Sequence, residues 1–128
     1  QAAGRQMIAQ GHGKIVNMSS AAGLIATEER AHYGPSKAGI IMLTRNLAYE
    51  WAGHGINVNA VAPTFVETEL AAKTLNRPEL REKYLARIPL HRFCKLEDVA
   101  GAVMFLASPA ADFITGAVLP VDGGIHIV

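Results

Sequence analysis

The sequence of 128 residues holds a single cysteine, Cys94, which excludes an intrachain disulfide framework and favours a reducing, cytoplasmic setting. It has no apolar run near the roughly 18 residues that a membrane-spanning helix needs, and no stretch reads as a secretory signal. Basic residues are not clustered. With a formal net charge of +1 and scattered Lys and Arg, the chain has no footprint for nucleic acid or for an anionic membrane surface. Only 18% of residues are charged and half are hydrophobic, so the chain has the means to bury a core and disorder is not expected. Its length suits one domain, 1–128. Internal repeats, low-complexity tracts and domain linkers are lacking. So is an N-cap residue ahead of the first helical stretch, residues 1–10, which suggests a missing upstream part.

What is present alternates between two periodicities. Residues 14–19 (Lys-Ile-Val-Asn-Met-Ser) are short, apolar and partly β-branched, and read as a buried strand. A loop spans 20–32. Residues 33–52 form the strongest helix, with a stripe of Ile40, Leu43, Leu47 and Trp51 widened by Ile41 and Ala48; Pro35 is tolerated in its first turn. Residues 56–62 are a second buried strand, stopped by Pro63. Short helices are predicted over 69–75 and 79–87. A striped helix carrying Val99, Val103, Leu106 and Ala107 follows over 96–108, and a third strand over 117–121. Strand, helix, strand with short joints is a βαβ unit, so the reading is α/β with a parallel sheet covered on both faces.

Tyr33 and Lys37 carry the chemistry. Four apart at the start of a helix, they share one face, and an ammonium beside a phenol favours the phenolate. Such a tyrosine can give or take a proton near neutral pH. Alone the pair is a weak signal, but its context strengthens it. Ser19-Ser20 ends the first strand and Pro63-Thr64-Phe65-Val66-Glu67-Thr68 follows the second, on the same edge of the sheet where ligands bind in open parallel sheets. Against this, serines at such a place often only satisfy loop amides.

Four ordered segments resemble the short-chain dehydrogenase/reductase family, compact subclass, C-terminal half. They are Gly13-Lys14-Ile15-Val16-Asn17-Met18-Ser19-Ser20, Tyr33-Gly34-Pro35-Ser36-Lys37-Ala38-Gly39, Ile56-Asn57-Val58-Asn59-Ala60-Val61-Ala62-Pro63 and Val121-Asp122-Gly123-Gly124. The resemblance implies the C-terminal portion of a Rossmann-type doubly wound parallel sheet whose N-terminal strands are missing. It implies NAD or NADP as cofactor, a small carbonyl or alcohol substrate of 3-oxoacyl or sugar/polyol type, and a homo-oligomer, tetramer or dimer. By the same resemblance Tyr33 is the general acid/base. Lys37 makes the phenol a better acid and binds the nicotinamide ribose. Ser20, thirteen residues before Tyr33, polarises the carbonyl. Pro63, Val66 and Thr68 hold the carboxamide end of the nicotinamide, Val66 through its backbone.

The chain departs from the family at Thr64, where glycine is usual, and it contains no glycine-rich phosphate loop. The family's catalytic asparagine lies upstream; Asn17, Asn46, Asn57 and Asn59 do not occupy its place. The alternative is an inactive fragment or a non-catalytic interaction module. His12, His32, His54, His91 and His126 lack ligand spacing, and His91 with Cys94 falls two ligands short of a zinc site. Residues 69–95 resemble the family's substrate-covering segment.

Overall fold

The computed structural model describes residues 1–128, except for the side chains of residues 70 and 74. In chain order the elements are α1 (Ala2–Gln10), β1 (Gly13–Met18), α2 (Tyr33–Trp51), β2 (Ile56–Pro63), α3 (Glu69–Leu75), α4 (Pro78–Leu85), α5 (Leu96–Ala107) and β3 (Val118–Val121). Short 3-10 turns follow β1, α2, α5 and β3. Every element expected from the periodicities forms, within two residues at each end.

The three strands are all parallel, in the order β1-β2-β3. Register runs from Gly13 opposite Ile56 to Met18 opposite Val61, and from Ala60 opposite Val118 to Pro63 opposite Val121. The two-residue period of a strand sends neighbouring side chains to opposite faces. Ile15, Ile56 and Val58 therefore meet α1 and α2 through Met7, Leu47, Ala48 and Trp51. Val16 and Val61, with Leu119 and Val121 of β3, meet α5 through Val99, Ala102, Val103 and Leu106. Helices on both faces are what the alternation of strands and helices predicts. Val58 and Val61 are fully buried, and a buried side chain of that size contributes about 1.5–3 kcal/mol.

Three details differ from expectation. Strand β1 is half-buried rather than buried, and Met18 is 47% exposed, because β1 pairs on one side only. The inward line of α2 is Ile41, Thr44 and Ala48, while Leu43 is half exposed. The line turns because Thr44, fully buried, is the residue that meets the sheet. Its Oγ1 donates to the Ile40 carbonyl (2.8 Å) and accepts from Asn17 Nδ2 (2.9 Å), so a polar pair holds a place that hydropathy assigns to leucine. On α5, Ala102 faces inward and Ala107 is exposed at the last turn.

The buried Asn59 in the central strand is satisfied by main chain. Its Nδ2 donates to the Ile114 carbonyl (2.9 Å) and its Oδ1 accepts from Ala117 N–H (3.0 Å), which pins the segment entering β3. No helix among the described residues is long and apolar enough to cross a membrane.

Candidate active site

Parallel strands leave the sheet at one edge, and the loops after β1 and β2 rise from it side by side. Ser19 and Ser20 begin the first loop and take opposite roles. Ser19 is buried and its hydroxyl donates to the Lys37 carbonyl (2.9 Å), stapling the strand end to α2. Ser20, half-buried, caps the 3-10 turn Ala21–Gly23, its Oγ accepting from Ala22 N–H (3.2 Å). That bond uses the oxygen as acceptor and leaves the O–H free to donate. Serving a loop amide and pointing a donor outward are compatible.

The turn sits directly on the first two turns of α2. A Cβ on Gly23 would stand 2.8 Å from the Lys37 carbonyl carbon, and one on Gly34 would stand 3.0 Å from the Ala22 carbonyl oxygen. The missing Cβ at Gly23, and to a lesser degree at Gly34, permits this approach, which seats the turn following Ser20 on the first turns of α2. Lys37 Nζ donates to the Met18 carbonyl (3.3 Å) and lies 5.6 Å from the centre of the Tyr33 ring. Tyr33, Lys37 and Ser20 are thus gathered where β1 ends. All three are half-buried, open to a ligand yet held.

The second loop supplies main chain rather than side chains. Val66 forms an isolated parallel bridge with Cys94, made by Cys94 N–H to the Phe65 carbonyl (3.0 Å) and Glu67 N–H to the Cys94 carbonyl (2.9 Å). Such a bridge uses the groups on either side of Val66. Its own N–H and C=O have no partner among the described residues. They form an adjacent donor and acceptor, which is what a carboxamide requires. Pro63 ends β2, buried. Thr68 is exposed and its Oγ1 accepts from Ala71 N–H (3.2 Å), so it starts α3 as a cap.

Helices α3 and α4 pack against both loops. Phe65 stacks on Tyr84 of α4 (ring centres 4.2 Å apart), and the cluster of Ala21, Leu75, Ile88, Phe93 and Ile125 joins the loop after β1 to α3 and α4. Lys83 of α4 donates to Glu28 of that loop (2.6 Å).

A separate pocket of about 620 Å³ opens at the end of β3, lined by Thr64, Cys94, Arg92, Asp122 and His126 among others. None of Ser20, Tyr33 and Lys37 lines it. Its polar groups are engaged. Buried Asp122 accepts from Gly124 N–H (3.0 Å) and His126 N–H (3.2 Å), with His126 Nδ1 at 2.8 Å. This explains the Asp-Gly-Gly sequence as a turn knotted around a carboxylate, a role that histidine spacing alone did not reveal. Arg92 pairs with Asp98 through two bonds (2.6 and 3.0 Å). Burial pushes the Cys94 thiol up from its ordinary range, as expected of a packed thiol. No metal-binding group of His, Cys, Asp or Glu occurs among the described residues.

Comparison with known proteins gives a consistent picture. A family model described as Enoyl-(Acyl carrier protein) reductase matches residues 1–126. The chain is 48% identical to the galactitol 2-dehydrogenase (L-tagatose-forming) of Cereibacter sphaeroides, over 99% of this chain and 51% of that protein. It is 46% identical to the 3-oxoacyl-(acyl-carrier-protein) reductase of Thermotoga maritima, over 94% of this chain and 48% of that protein. Among solved structures, a gluconate 5-dehydrogenase from Burkholderia cenocepacia in complex with NADP and tartrate superposes with a TM-score of 0.93 at 38% identity, covering 97% of this chain and 49% of that one. The chain spans about half the length of the curated relatives it matches.

Proposed function

Because this chain belongs to the short-chain dehydrogenase/reductase family, we propose that it forms the catalytic half of an NAD(P)-dependent oxidoreductase interconverting a ketone and a secondary alcohol. The observation that supports the reading is that Lys37 Nζ reaches both the Met18 carbonyl at the end of β1 and the Tyr33 ring, while the turn begun by Ser20 packs on α2 through Gly23 and Gly34.

Each residue has a distinct task. The Ser20 O–H donates to the substrate carbonyl oxygen and fixes its position. The Tyr33 phenol gives its proton to that oxygen as it becomes a hydroxyl, and takes the proton back in the oxidative direction. The Lys37 ammonium lies close enough to offset the charge left on the phenolate. A nicotinamide nucleotide, when bound, supplies or accepts the hydride at the substrate carbon. The residues here suit its nicotinamide end. Lys37 would bind the ribose, the unpartnered N–H and C=O of Val66 would take the carboxamide, and Pro63 and Thr68 would flank it. Thr64, whose N–H donates to the Val121 carbonyl (3.3 Å), narrows the approach without removing those groups.

The substrate class is a sugar, polyol or 3-oxoacyl compound, supported by the names of the relatives. The same proposal includes a homo-oligomer. Its support is the exposed side of α2, where Met42, Leu43 and Tyr49 are 53%, 51% and 90% exposed.

The test is Tyr33→Phe in the complete gene product that carries these residues. The expected result is a fall in kcat of about 10²–10⁴-fold with the fold intact. Wild-type turnover in that variant would overturn the proposed chemistry.

A further inference from the structure

Arg30 stands three residues before Tyr33, exposed, with its guanidinium carbon 5.8 Å from the centre of the Tyr33 ring. It makes no ion pair among the described residues. Yet two acids precede it directly, and the way the chain separates them from Arg30 is informative. Glu29 adopts a positive φ of 56°, a costly conformation for a side-chain-bearing residue, and the chain reverses there. On one side of the reversal Glu28 faces α4. Glu28 is bonded to Lys83, its carboxyl held below the usual range by Lys83 and, more weakly, by Arg87, while Glu29 adds to the pull that raises Lys83. On the other side, the Arg30 carbonyl accepts from Gly34 N–H (2.8 Å), which ties Arg30 to the first turn of α2 beside the phenol. Glu28 is thus paired with α4, and the Arg30 guanidinium is left exposed beside the Tyr33 ring, without an ion pair among the described residues.

We propose that Arg30 recognises a carboxylate on the substrate, so that the site prefers a sugar acid or another hydroxy or oxo acid over a neutral polyol. The inference rests on the reading of Tyr33 as the proton donor and deepens it by naming the charge of the substrate. A guanidinium is suited to the task because its planar fork pairs with a carboxylate through two parallel N–H bonds. Its nearness to Tyr33 places the recognised group a few atoms from the reacting carbon, as in a chain of a few hydroxylated carbons ending in a carboxylate. Gluconate, which the name of one similar structure specifies, is such a compound and serves as the probe.

The experiment compares gluconate with galactitol in the complete gene product, by steady-state kinetics and by binding in a calorimeter. For the wild type, kcat/KM and affinity are expected to favour gluconate. Arg30→Gln is expected to weaken gluconate by about ten- to a hundredfold, through KM rather than kcat, and to change galactitol less than about twofold. Arg30→Lys should restore part of the loss. Equal losses on both probes, or gluconate binding that Arg30→Gln leaves unchanged, would overturn the assignment, as would a wild type that does not bind gluconate. Arg30-dependent gluconate binding without turnover of either probe would instead refute the dehydrogenase reading and leave the anion site standing.

Discussion

Lys83 Nζ and Glu28 Oε2 lie 2.6 Å apart, and their bond joins helix α4 to the loop that leads into Tyr33. The two are fifty-five positions apart in sequence and both are largely exposed. Exposed pairs contribute little to global stability. Under the proposed function this bond would tie α4 to the loop leading into the proton donor, so its effect should appear in substrate retention. Glu28→Gln or Lys83→Met is expected to raise KM roughly two- to fivefold with little loss of kcat, and the double exchange Glu28→Lys with Lys83→Glu should recover most of it. Steady-state kinetics at low and high salt checks this. A KM that ignores both variants would refute the link.

The adjacent serines separate structural from chemical service. Ser19→Ala removes a buried hydroxyl bonded to the Lys37 carbonyl and should cost about 1 kcal/mol of stability. Ser20→Ala, which loses the capping bond from Ala22 N–H, should cost no more stability than Ser19→Ala but should lower kcat per folded molecule much further, because its O–H is the one proposed for the substrate. Thermal melts and turnover of the two variants, measured together, decide between them. The opposite pattern would move the polarising role to Ser19.

Gly23→Ala tests the seat on which the site is built. The added methyl meets main-chain atoms of Lys37 and Ala38 that cannot rotate aside. The turn must lift from α2, at a cost of about 1–3 kcal/mol, and Ser20 moves with it. Activity is therefore expected to fall by more than the loss of folded protein accounts for. Activity normalised to the folded fraction is the measurement.

A pH effect follows from Asp98 at the start of α5. Its carboxyl is held down to about 2, from 3.8, chiefly by the two bonds from Arg92 and then by Lys95 N–H. A carboxylate whose folded value is depressed stabilises the fold above its unfolded value, and that contribution is lost as pH falls through the folded one. Wild type should thus lose stability between about pH 4 and 2 more steeply than Asp98→Asn, and the gap between them should close near pH 2. Urea midpoints across that range test it.

Much of this was legible from spacing. Tyr33 and Lys37 share a helix face by arithmetic alone, and the apolar runs 14–19 and 56–62 are strands in any reading. What stayed hidden depends on partners distant in sequence. Thr44 displaces Leu43 from the inward line because Asn17, twenty-seven residues away, offers it a bond. The unpaired Val66 main chain becomes visible only once Cys94 bridges it. That Glu28 is paired, leaving Arg30 without an ion pair among the described residues, becomes visible only with Lys83, fifty-five residues away. Hydropathy does not encode such pairings.

The parallel register has a further meaning for how this protein can change. Each strand delivers its exit to the same rim, so the loops that rise from it can diverge independently of the sheet beneath them. Residues 26–31 are anchored at one end by the turn on α2 and at the other by Tyr33 itself. New chemistry can be written into that interval, in charge or in length, while the scaffold and Tyr33 stay where they are. Selectivity and foldability are in that sense inherited separately.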